Sequence, residues 1–142
     1  MKYDLIFYIA KKTGYCEKRL KRIMAGVGLE PNRIVSATSP THLGEEVTHS
    51  LRLCRLTVII GGLRSPYDDN LETVLSRVFS IAGIPLKNMR KLPAKGASDD
   101  SSVGYLIRYK SQMIMALPDD PDLIEQILTG DILDYLRAKL DM

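Results

Sequence analysis

The run Leu56-Thr57-Val58-Ile59-Ile60 constrains the fold more than any other part of this chain. It shows no polar alternation and is rich in β-branched residues, the pattern of a strand buried on both faces inside a parallel sheet. Gly61-Gly62 ends it. Paired glycines at that point allow a left-handed backbone or a close approach to another group. Leu63-Arg64-Ser65-Pro66-Tyr67 then turns the chain, and Asp68-Asp69 stand at the mouth of a helix. Ligands of open α/β sheets bind beyond the carboxyl ends of the strands. This stretch is therefore the first candidate for a site.

The flanking patterns agree with a central buried strand. Residues 4–10 read as a first strand, rich in Leu, Ile, Phe and Tyr. From 16 to 27, Leu20, Ile23, Met24 and Val27 recur at helical spacing, and Gly26 and Gly28 lie where a left-handed cap would close the helix. Residues 33–37 read as a second strand. Ser39-Pro40-Thr41 opens a second helix with Leu43, Val47, Leu51 and Cys54 on its inner side. A third helix is expected over 70–82, with Leu71, Val74, Leu75, Val78 and Ile81 as its stripe. Its Asp69-x-x-Glu72 start has the form of a capping box. The order βαβαβα predicts a parallel sheet covered by helices.

Beyond it, 87–95 is basic and 96–102 reads as an exposed loop. Residues 103–109 and 112–117 suit a hairpin turning at Lys110-Ser111. Asp120 and Pro121 suit the cap and first position of a helix, and a last helix is expected over 131–140. The whole predicts one domain, residues 1–142, with three α/β/α layers, a mostly parallel sheet and a late β-hairpin.

Composition narrows the class. With 142 residues, 45% hydrophobic and 26% charged, the chain has enough apolar mass for one core and is neither disordered nor fibrous. No apolar run approaches the ~20 residues of a membrane span, so no membrane association is expected. The N-terminal segment carries Asp4, lacks a small-residue cleavage site and runs into Lys11-Lys12, which favours a strand over a signal peptide. Cys16 and Cys54, both expected in helices, have no metal-ligand spacing and read as free thiols of a cytoplasmic protein. Residues 1–97 hold 16 Lys/Arg against 8 Asp/Glu, and residues 98–142 hold 4 against 9. The basic run from Lys11 to Arg22 fits a solvated helix face. It lacks an aromatic platform, so nucleic-acid binding is not expected. His42 and His49 lie two helical turns apart and cannot share a metal directly.

Two segments carry a resemblance. Ile60-Gly61-Gly62-Leu63-Arg64-Ser65-Pro66-Tyr67-Asp68-Asp69 is similar to the Thr-Gly-Gly-Leu-Gly-Pro-Thr-x-Asp-Asp signature of the molybdopterin-binding fold. Ile114-Met115-Ala116-Leu117-Pro118-Asp119-Asp120-Pro121 is similar to that family's Leu-Pro-Gly-x-Pro segment. The chain resembles the N-terminal domain of CinA proteins most, then MoaB and MogA. The resemblance implies a pocket for a phosphorylated pterin or a nucleotide. Gly61, Gly62, Arg64 and Asp68 would line one side, and Leu117, Pro118 and Asp119 the other. Asp69 would be the catalytic and metal-holding residue if chemistry is retained, with Mg²⁺ the fitting ion. The resemblance also implies a homo-oligomer.

Ile60 stands where the signature has threonine, Arg64 where it has its third glycine, and Asp119 where the second segment has glycine. Thr38-Ser39-Pro40 holds no acid where the family has one, and the family's Gly-x-Glu loop is shortened to Lys11-Lys12-Thr13-Gly14. These changes favour binding of a small phosphorylated ligand without the family's catalysis. Two alternatives stand beside it. One is a metal-dependent pyrophosphatase of the ADP-ribose type, as in the CinA group, with Arg64 clamping phosphate. The other is a domain that serves in assembly or partner binding.

Overall fold

The computed structural model describes residues 1–63, 71–82, 89–93, 102–109 and 111–140. Among these, one six-stranded sheet runs β2-β1-β3-β6-β5-β4. Its strands are β1 (Lys2–Tyr8), β2 (Glu30–Ala37), β3 (Leu56–Ile60), β4 (Met89–Pro93), β5 (Ser102–Tyr109) and β6 (Gln112–Leu117). The helices are α1 (Thr13–Ala25), α2 (Pro40–Leu53), α3 (Leu71–Ala82), α4 (Pro121–Ile127) and α5 (Gly130–Lys139). β1, β2, β3 and β6 are parallel, and β5 joins antiparallel to both β6 and β4. The expected mostly parallel sheet with a late hairpin is present. No helix among the described residues is long and apolar enough to cross a membrane.

All five residues of β3 are buried, as its unbroken apolar run requires. Leu56, Val58 and Ile60 face a layer formed by α1, α4 and α5. Ile59 faces a second layer formed by α2 and α3. Thr57, the polar member of the run, shares a hydrogen bond with buried Ser50 of α2 at 2.6 Å, which removes the cost of an unpaired hydroxyl. Fully burying a Leu or Ile side chain contributes about 1.5–3 kcal/mol. A strand buried on both faces is therefore the densest source of stability in the sheet.

Several elements differ from expectation. β1 stops at Tyr8, because Ile9 takes a left-handed φ of 48° that ends sheet pairing. β2 starts earlier than expected, at Glu30, and includes Pro31. Pro31 is tolerated because β2 is an edge strand, bonded only to β1 among the described strands. Within 87–95, Met89–Pro93 forms an edge strand, with Arg90 lying 5.3 Å from the centre of the Tyr135 ring of α5. Cys54 is the residue that caps α2 rather than part of it. Both cysteines are free and buried. Ser39 accepts from the His42 amide and Asp120 from those of Asp122 and Leu123, the two caps expected.

The capping box at Asp69, the side chains of Val78 and Ile81, and residues 96–101 of the expected loop lie outside the described residues, while Ser102 already belongs to β5.

Candidate functional site

The chain passes from β1 to β2 on one side and then crosses back to β3 on the other. That reversal opens a crevice at the carboxyl ends of β1 and β3, the place where doubly wound sheets take their ligands. Three segments meet there: Tyr8-Ile9-Ala10 after β1, Gly61-Gly62 after β3, and Leu117-Pro118-Asp119 at the end of β6.

The glycine pair is held by its backbone. Gly61 has φ +106° and Gly62 φ +74°, both left-handed. The Gly61 amide donates to the Leu117 carbonyl at 3.0 Å, and the Gly62 carbonyl accepts from the Leu71 amide at 2.9 Å. A side chain on Gly61 would overlap the Tyr8 carbonyl oxygen. One on Gly62 would come within 2.5 Å of the Tyr8 ring. The pair thus ties β3 to β6 and to the first residue of α3 while lying flat against Tyr8.

Ile9 stands beside this turn. A β-branched residue in the left-handed region is strained, and such residues gather at ligand clamps and active sites. Ile9 is also 49% exposed, so its side chain projects into solvent instead of the core. Nothing in its local sequence announces this, because Ile9 continues an apolar strand pattern.

Asp119 makes the tightest polar contact at the crevice. Its Oδ2 accepts from the Lys11 amide at 2.6 Å, and its Oδ1 from the Lys12 amide at 3.1 Å. Lys12 is the N-cap of α1 and supplies no side-chain cap, and the first turn of α1 has no acid. The carboxylate of Asp119 therefore meets the free amides and partial positive charge of a helix start from 107 residues away. Two acids, Asp119 and Asp120, follow β6 here. In the structure one negative charge, on Asp119, is met by backbone amides, and the other belongs to the cap of α4.

Cys16, in the first turn of α1, donates to Asp119 Oδ1 at 3.6 Å. Burial, followed by the negative charge of Asp119 and this hydrogen bond, pushes its thiol up from 9.0 to about 12. A buried thiol of that kind is a poor nucleophile. Its consequence for stability has a definite sign. The unfolded thiol ionises near 9.0 and the folded one near 12, so folding is disfavoured as pH climbs through that window. Tyr3, raised from 10.0 to about 12 chiefly by burial, acts in the same direction. Urea midpoints should fall between pH 9 and 12, and Cys16→Ala should flatten the fall. An unchanged slope in that variant would remove Cys16 as a cause.

Gly61, Gly62, Leu117, Pro118 and Asp119 are thus brought to one crevice. Arg64, Asp68 and Asp69 lie outside the described residues. Among the described residues, no three His, Cys, Asp or Glu side chains gather as metal ligands would. His42 lies 3.5 Å from Glu46, which also pairs with Arg33 at 3.0 Å, an ion-pair chain on the edge of the sheet.

The order of strands, the two helical layers and the glycine turn at the switch point define an α/β protein of the molybdopterin-binding-like fold. Solved structures with this fold include molybdenum cofactor biosynthesis protein B (TM-score 0.73, 11% identity, 99% of this chain and 94% of that one). MogA matches with a TM-score of 0.69 at 16% identity, over 99% and 98% of the two chains. A CinA protein from Thermoplasma acidophilum matches with a TM-score of 0.66 at 13% identity, over 98% and 97%. At these identities the likeness is one of fold. No protein-family model and no curated protein sequence matches the chain.

Proposed function

We propose that the crevice at the ends of β1, β3 and β6 binds a small phosphorylated ligand, a pterin or a nucleotide. The observation that carries this is the pairing of two features across one opening. On one side is a left-handed Gly61-Gly62 turn that itself carries no side chain. On the other are the Lys11 and Lys12 amides, already holding the carboxylate of Asp119. Glycine turns and helix starts are the backbone features that accept phosphate. Exposed Ile9 supplies an apolar surface beside them for a flat ring. The fold shared with molybdenum cofactor biosynthesis proteins supports a pterin as the first ligand to try.

In this reading the chain's residues bind and orient. Gly61 and Gly62 let the ligand approach the backbone, Leu117 and Pro118 form the opposite wall, and Asp119 limits how much negative charge enters. Arg64 and Asp68 are proposed as contributors from the segment that follows the glycines. Asp69 is proposed for metal or catalysis only if turnover is found.

The test is thermal unfolding with a panel of pterin phosphates, mononucleotides and ADP-ribose, with and without Mg²⁺. A ligand present at about one hundred times its dissociation constant adds ~2.7 kcal/mol, a plain shift in midpoint. Any ligand that shifts the midpoint is then assayed for turnover in the parent and in Asp69→Asn. The absence of any shift at millimolar concentrations would reject the reading and leave assembly or partner binding in its place.

A further inference from the structure

The outer face of α2 is a second feature that the crevice does not use. Its inner stripe, Leu43, Val47 and Ser50, is buried against the sheet. On the other side, adjacent pairs of residues recur every four positions from Pro40 to Leu53 and line one continuous groove. Val74 and Arg77 of α3 form the facing wall, and the groove encloses about 950 Å³. Small-ligand pockets span roughly 300–1,000 Å³, with mostly apolar walls and a few placed polar groups. This groove fits that description at its upper end.

Its surface is mostly carbon. Leu53 is 56% exposed, an unusual setting for a leucine at the end of a helix that otherwise orders its apolar residues inward. Gly44 lies inside α2 and lines the groove without a side chain. The polar groups are unevenly placed. His49 and Arg52 come from the last turns of α2, and Arg77 lies one turn after Val74 on the neighbouring helix. Among the described residues, none of the three has an ion-pair or hydrogen-bond partner. Glu45 is the one carboxylate among the described lining residues. Two guanidinium groups and an imidazole thus line a mostly apolar trough.

We infer that the α2–α3 groove is a binding site for a small organic anion with an apolar body. The acidic head, a carboxylate, sulfate or phosphate, sits between Arg52 and Arg77, with His49 as a further donor. Guanidinium groups bind such heads bidentately. The body lies along exposed Leu53 and the backbone at Gly44, with Val74 beneath them.

Dodecanoate, below its micelle concentration, is the probe, followed by isothermal titration with dodecanol as the neutral control. The expected result is saturable, one-to-one binding of dodecanoate, with dodecanol at least about tenfold weaker. The double variant Arg52→Glu/Arg77→Glu should lose at least about tenfold in dodecanoate affinity while keeping its unfolding midpoint, because both side chains are exposed. Leu53→Gln, a change at an exposed position that removes apolar wall and leaves the head site, should also weaken binding severalfold. Three outcomes would overturn the inference. One is no saturable binding up to the solubility limit. Another is equal binding by dodecanol or by the charge-reversed variant. The third is sedimentation with phosphatidylglycerol vesicles but no binding of monomeric dodecanoate, which would make the face a membrane contact instead.

Discussion

Gly61→Ala should lower the urea midpoint drastically, with a loss of about 4 kcal/mol, the size reserved for a few mechanisms such as backbone strain and overpacking. Two effects act together. Alanine at φ +106° is strained whatever surrounds it. Its methyl would also overlap the carbonyl oxygen of Tyr8, a backbone atom of a paired central strand that cannot step aside cheaply. Relief requires β1 and β3 to part at their carboxyl ends, against the bond that holds Gly61 to Leu117 on its other side. Equilibrium unfolding in urea measures the effect, and a loss below about 1 kcal/mol would show that the turn relaxes more easily than this geometry allows. The requirement for glycine is thus met by the fold itself, before any ligand is considered.

Asp119→Ala is the second large change. It leaves the Lys11 and Lys12 amides and the start of α1 without their acceptor, and loss of a helix cap at an exposed helix start costs about 0.5–2 kcal/mol. Asp119→Asn keeps an acceptor oxygen and loses the charge, so its loss should be the smaller of the two. Hydrogen exchange at Lys11 and Lys12 should quicken in the alanine variant more than at the centre of β3. The proposed function adds a further expectation: inorganic phosphate should restore part of the stability lost in Asp119→Ala and add little to the parent. Unchanged stability in Asp119→Ala would mean that water serves the two amides equally well.

These two positions also show where sequence reading succeeds and where it stops. The strand at Leu56–Ile60 was legible because an unbroken apolar run between turn residues has few other uses, and the need for glycine after it followed from the turn. Caps at Ser39 and Asp120 were legible because capping is local, fixed by the next three residues. β4 was not, since a five-residue edge strand reading Met-Arg-Lys-Leu-Pro has little room to alternate and resembles a basic linker. The left-handed Ile9 was missed because its side chain argues for strand while tertiary packing beside Gly61 imposes another backbone. Asp119 reads in the sequence only as a turn residue after β6, and its partners at Lys11 and Lys12 are far away in sequence. No local pattern records a helix capped from the opposite end of the chain.

The pairing of β3 with β6 has a consequence for how the protein is made. Leu56 lies opposite Met113 and Ile60 opposite Leu117, so the most apolar strand acquires its second neighbour only after more than fifty further residues exist. During synthesis β1, β2 and β3 can already lie side by side. Until β6 arrives, the growing sheet ends in an open apolar rim of the kind that pairs with other chains. Closure of that rim is a long-range step, slow for the same reason that distant contacts are slow. The strand at 112–117 thus covers the apolar rim that the first sixty residues leave open.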